Sequence, residues 1–184
     1  MQPQKNLKEA CKLAATTLLL LFLAGCASSS GMVRNAGPIA TNKPISFDFV
    51  LVEISSSLTD VADEKLLLND SIITGLRETA FFGSVSGIRA DTNSTSGIKV
   101  SADIMEIQKV SDNARVWMGG FAGQARMVVH VLVTDLDSGN QIETFEAEGK
   151  SGKSARAGTT NEAIQQAAEQ VVAGIIEIRS RISQ

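Results

Sequence analysis

The residues from Ala125 to Leu136 decide most of what this chain can fold into. Met127, Val129, Val131 and Val133 take alternate positions, which in an extended chain all point the same way. Val128, His130 and Leu132 fill the positions between them, so the second face is also largely apolar. That is the pattern of a strand with neighbours on both sides, in the middle of a sheet. Asp135-Leu-Asp-Ser-Gly-Asn140 follows with turn-forming residues, and Gln141 to Gly149 returns as a hairpin partner.

The segments around this strand complete a sheet and cover it. Ile45 to Ile54 is rich in β-branched and aromatic residues and predicts a first strand. Thr59 or Asp60 is placed to cap a helix over Ala62 to Ala80, where Leu68, Ile72, Leu76 and Ala80 recur every fourth residue with Leu66, Leu67 and Ile73 beside them. Gly75 inside that helix costs about 1 kcal/mol relative to alanine and marks close packing. Phe81-Phe82-Gly83 ends the helix, and Val85 to Ile88 predicts a short strand. Ile98 to Ile104 alternates as a half-buried strand, and the slip at Met105-Glu106-Ile107 predicts a bulge. Thr159 and Glu162 form a capping box for a helix reaching about Ser180, with Ile164, Ala167, Val171, Ile175 and Ile178 on one face. Strand, helix, strands, helix predicts an α+β domain: a mainly antiparallel sheet of about four strands, with two helices packed on one face. With seven Phe, one Trp and no Tyr, the core has to be aliphatic.

The amino-terminal segment is of a different kind. Lys5, Lys8 and Lys12 precede an apolar stretch from Leu13 to Ala24, which ends in Leu23-Ala24-Gly25-Cys26. A basic start, a short apolar run and small residues at the cut describe a secretory signal. The run is too short for a spanning helix, which needs about 20 residues. Leu-Ala-Gly-Cys resembles the lipobox of bacterial lipoproteins in all four positions. The resemblance implies cleavage between Gly25 and Cys26, a diacylglyceryl thioether on the Cys26 thiol and an acyl chain (palmitate or similar) on the new amino terminus. Ala27, rather than Asp, implies by the Gram-negative sorting rule an outer-membrane address, with the domain in the periplasm. The expected organisation is a cleaved signal at 1–25, a lipidated flexible tether at 26–44 and one periplasmic domain at 45–184. The tether is rich in Ser, Gly, Asn and Pro and spans roughly 20–25 Å on average. Cys11 leaves with the signal and Cys26 is consumed by lipid, so no thiol remains for a disulfide, a nucleophile or a metal.

Charge and motifs exclude several functions. Three of the 17 basic residues and one of the 20 acidic ones (Glu9) precede Cys26, leaving 14 against 19 and a charge near −5 downstream. No basic stripe suits a nucleic acid. Gly149-Lys-Ser-Gly-Lys-Ser154 lacks the phosphate-loop glycine five residues upstream of either Gly-Lys pair, where Ala147 and Thr144 stand, and lies ten residues before its helix. His130 is the only histidine, so a conventional zinc site or His-based triad lacks parts, and a packed or edge imidazole is expected. Asp135, Asp137 and Gly139 make half a calcium loop and are read as a hairpin turn. No metal or cofactor is expected beyond the lipid on Cys26. In Val116-Trp-Met-Gly-Gly-Phe-Ala-Gly123, Trp117, Met118 and Phe121 either fold back on the core or form an exposed tip for a partner or the bilayer.

From Gly119 to Glu177, the runs Gly-Gly-Phe-Ala-Gly-Gln-Ala-Arg, Val-Val-His-Val-Leu-Val-Thr-Asp-Leu-Asp-Ser-Gly, Phe145-Glu-Ala-Glu-Gly-Lys-Ser-Gly and Ala157-Gly-Thr-Thr-Asn-Glu-Ala resemble a family of proteobacterial lipoproteins of unknown function. In architecture the chain also resembles the periplasmic α/β domains of curli-secretion lipoproteins and of penicillin-binding-protein activators. A curli-type pore needs long amphipathic membrane hairpins, and the 125–149 hairpin carries His130, Asp135, Asp137, Glu143 and Glu146. The function expected is a non-enzymatic envelope lipoprotein that docks another envelope component. The alternatives are a subunit of an oligomeric secretion accessory and, least supported, a cell-wall enzyme, which would need a carboxylate pair that the sequence does not single out.

Overall fold

The computed structural model describes residues 31–34 (as backbone), 44–87, 96–110, 124–152 and 159–183. In chain order they form β1 (Gly31–Arg34), β2 (Phe49–Ser56), α1 (Ala62–Glu78), β3 (Ser84–Gly87), β4 (Ile98–Gln108), β5 (Arg126–Asp135), β6 (Gln141–Lys150) and α2 (Thr160–Ile182). The strands make one sheet of order β1-β6-β5-β4-β2-β3. The pairs β1/β6, β5/β6 and β4/β5 are antiparallel, whereas β2 runs parallel to both β3 and β4. The α+β class therefore holds, but the sheet is mixed and has six strands rather than about four. The parallel pair arises because α1 carries the chain back along the sheet before β3 begins, as a crossover helix does. The sixth strand comes from inside the span read as tether: Gly31–Arg34 pairs with Arg34 opposite Phe145 and Gly31 opposite Glu148.

β5 lies between β4 and β6, the central position expected from its sequence. Met127, Val129, Val131 and Val133 are fully buried beside Ile98, Val100, Ala102 and Ile104 of β4. Onto this face pack Leu68, Ile72 and Leu76 of α1 and Ile164, Val171, Ile175 and Ile178 of α2. Each such side chain contributes about 1.5–3 kcal/mol relative to exposure. The expected bulge is present, with the register shifting between Ile104 and Glu106. The sheet's other face is half-buried in alternation, and no described helix covers it.

The helix ends show what the sequence signals did. At α2, the Thr159 hydroxyl accepts a hydrogen bond from the Glu162 N–H at 3.0 Å, as a capping box requires. Glu162 in turn accepts from the Gly152 N–H at 3.2 Å, tying the end of β6 to the start of α2. At α1 neither Thr59 nor Asp60 caps. The N-cap is Val61, without a side-chain bond, and Asp60 sits at φ 55° in the left-handed region. Past the end of α1 the chain turns at Ala80, also left-handed at φ 54°, where glycine would be less strained.

Two contacts hold α2 onto the sheet. Gly149 lies under its first turns, where a Cβ would overlap the Ala163 carbonyl oxygen and the Ala167 amide nitrogen. This glycine of the Gly-Lys-Ser-Gly-Lys run therefore serves helix-to-strand approach. Near the other end, Arg181 ion-pairs with Glu143, whose side chain is wholly buried. The register shift between Val133 and Thr134 turns the consecutive residues Ile142 and Glu143 both into the interior. Gly75 faces Val172 of α2, which accounts for a glycine in the middle of α1.

Candidate docking groove

A concavity of about 860 Å³ opens beside the β3 edge of the sheet, between β2, β3 and α1. Ile54, Leu58, Leu66 and Ile73 supply its apolar surface. Leu66 is 53% exposed, an unusual setting for a leucine on a helix that packs elsewhere so tightly. β3 pairs only with Phe49–Val52, so among the described residues the β2 edge from Glu53 to Ser56 has no strand beside it on that side. Unpaired backbone next to an apolar trough is the geometry that accepts an added strand.

Local chemistry keeps this groove in shape. Arg77 donates from Nε and Nη2 to the Val85 carbonyl at 3.2 and 2.7 Å, holding β3 against α1. The Lys109 ammonium bridges the Asp60 carbonyl at 2.7 Å and the Glu64 carboxylate at 2.6 Å, fixing the approach to α1. The Ser56 hydroxyl donates to the Ile104 carbonyl at 3.0 Å and accepts from the Leu58 N–H at 3.1 Å, which turns the chain out of β2. Three carboxylates line the groove: Glu53 on β2, Asp60 in the connection and Asp70 on α1. Glu53 is ion-paired with Lys99.

His130 stands on the sheet face turned away from the helices, half-buried, opposite Asp103 on one side and Glu146 on the other. The Ser55 hydroxyl donates to Asp103 Oδ1 at 2.9 Å. The row Ser55–Asp103–His130–Glu146 has the parts of a hydrolytic triad in the wrong order. A triad needs the imidazole between hydroxyl and carboxylate, and here the carboxylate stands between. Among the described residues no three His, Cys, Asp or Glu side chains converge to hold a metal ion. Asp135 accepts from the N–H groups of Asp137 and Ser138 at 3.3 and 3.2 Å, which is turn chemistry.

Farther along the same open face, Arg126 bridges Glu106 and Glu148, and Lys150 donates to Glu148 at 2.5 Å. Burial pushes the Glu148 carboxyl up, but hydrogen bonds from Lys150 and Arg126 outweigh it and hold the group below its ordinary value. The Arg126 guanidinium is raised, chiefly by its hydrogen bond to Glu148. A lowered carboxylate stabilises the fold above its unfolded value of about 4.3 and loses that contribution as pH falls through the folded value. Urea melts at pH 7 and pH 3.5 are expected to show a smaller acid-induced loss in Glu148→Gln than in the unaltered chain. Equal losses would mean that this cluster carries no such linkage.

Sequence reasoning did not single out the groove. Its one sequence signal is the pair Leu66 and Ile73, seven residues apart and beside the Leu68-Ile72-Leu76 stripe. Gly25, Cys26, Trp117, Met118 and Phe121, the residues singled out beforehand, lie outside the described residues. No helix among the described residues is long and apolar enough to cross a membrane.

The fold defines a mixed-sheet α+β domain which, among the described residues, has an open strand edge with an apolar groove beside it. By sequence the chain belongs to the family Domain of unknown function (DUF4410), matched over residues 58–155, just over half its length. This agrees with the resemblance to a family of unknown function read from residues 119–177. No protein of curated function matches the chain. Among solved structures, a PelC variant from Paraburkholderia phytofirmans, a dodecamer, aligns at 15% identity and TM-score 0.53, covering 78% of this chain and 95% of that one. A DUF330 protein from Xanthomonas campestris aligns at 11% identity and TM-score 0.54, covering 77% and 90%. At these identities the likeness is one of fold.

Proposed function

We propose that this chain is a lipid-anchored envelope protein whose folded domain docks an extended segment of another envelope protein and catalyses no reaction. Acylation of Cys26 would place it on the outer membrane with the domain in the periplasm. The observation that supports docking is the groove: exposed Leu66 beside a stretch of β2 that is unpaired among the described residues. A partner strand would hydrogen-bond along Glu53 to Ser56 and put alternate apolar side chains over Leu58, Leu66 and Ile73.

A photocrosslinking residue at Ser86, on the groove rim, tests this in cells. The expected result is a discrete adduct with one partner that disappears when Leu66→Glu is added, with the melting temperature unchanged. No adduct, or one indifferent to Leu66→Glu, would overturn the proposal. Adducts with a second copy of the chain would favour another reading, a subunit of a homo-oligomeric assembly. That reading is supported by the PelC dodecamer, which shares this fold.

A further inference from the structure

β1 fixes where the chain joins the domain. Gly31 lies opposite Glu148, so the residues before it leave from the end of the sheet where β6 finishes. β5 begins at that end, with Arg126 opposite Lys150, and β4 ends there, with Gln108 opposite Arg126. α2 starts there too, since Gly152 bonds Glu162 in its first turn. The hairpin turn at Asp135–Asn140 is at the opposite end, about 30 Å away at ~3.3 Å per residue.

Only residues 27–30 separate Cys26 from Gly31. Five Cα steps span at most about 18 Å, far less than a free tether through residue 44 would allow. We propose that this end of the domain, marked by Gln108, Arg126, Lys150 and the start of α2, docks on the lipid surface that holds the acyl chains, with the 135–140 turn pointing away from it. The inference rests on the anchoring at Cys26.

The test uses the full acylated chain in phosphatidylethanolamine/phosphatidylglycerol vesicles containing a headgroup-quencher lipid. Since Cys26 is blocked by lipid, Gln108→Cys or Asn140→Cys gives a single labelling site, each at an exposed position. A fluorophore at 108 is expected to be quenched several-fold more than one at 140. Equal quenching, or more at 140, overturns the orientation alone. A purified chain whose intact mass shows no lipid overturns the anchoring reading, and the orientation with it.

Discussion

Replacing Cys26 by serine is expected to move the protein wholly from the membrane fraction to the soluble one. The thiol is the only nucleophile in the Leu-Ala-Gly-Cys segment that can form the thioether. Each buried methylene contributes about 0.8 kcal/mol, a single chain holds only marginally, and two or more hold stably. No described helix offers a substitute span. The effect is therefore close to all-or-none, read by fractionation in about 1 M salt, which screens surface charge at a Debye length of about 3 Å. A Cys26→Ser chain that sediments with membranes under those conditions would sink the anchor.

Gly149→Ala should have the largest effect on stability of any single methyl addition in the described sheet. The added Cβ would meet backbone atoms of Ala163 and Ala167, which cannot rotate away as a side chain could. The first turns of α2 would have to lift from β6, loosening Ile164 and Ala167 from the core. A loss of about 3 kcal/mol, or about 10 °C in Tm, is expected. Gly139→Ala is the control: its φ is 72°, but nothing lies within 4 Å of the new Cβ. That substitution costs only the backbone strain, about 1 kcal/mol. Equal losses at the two sites would mean that α2 does not approach β6 as closely as described.

What was legible in the sequence follows the range of the interaction. β5, its turn, the bulge in β4 and the cap of α2 all depend on residues close in sequence, and their patterns predict them. The parallel pairing of β2 depends on which strand α1 returns beside, which no local pattern encodes. β1 is four residues in a Gly- and Ser-rich stretch, and only the register offered by β6 makes it a strand. The groove gathers residues from 52 to 87, and its chemistry appears only once β2, β3 and α1 are brought together. Gly75 was read correctly because a glycine in a helix already costs stability without a close neighbour to explain it. Thr59 and Asp60 misled because capping preference is a weak prior when the preceding strand fixes the direction of approach.

The strand order also sets a timetable. β2 meets its inner neighbour β4 only after α1 and β3 have been made; α1 lies over β2 and β3, whereas β5 and β6 are covered by α2, the last described element. A polypeptide delivered amino-terminus first therefore has nothing to lay over Met127, Val129, Val131 and Val133 until its carboxy-terminal helix has emerged. Any shorter length leaves that row wet, so this half of the sheet closes late. Until then it offers its apolar strands to whatever chaperone, or neighbouring nascent chain, reaches them first.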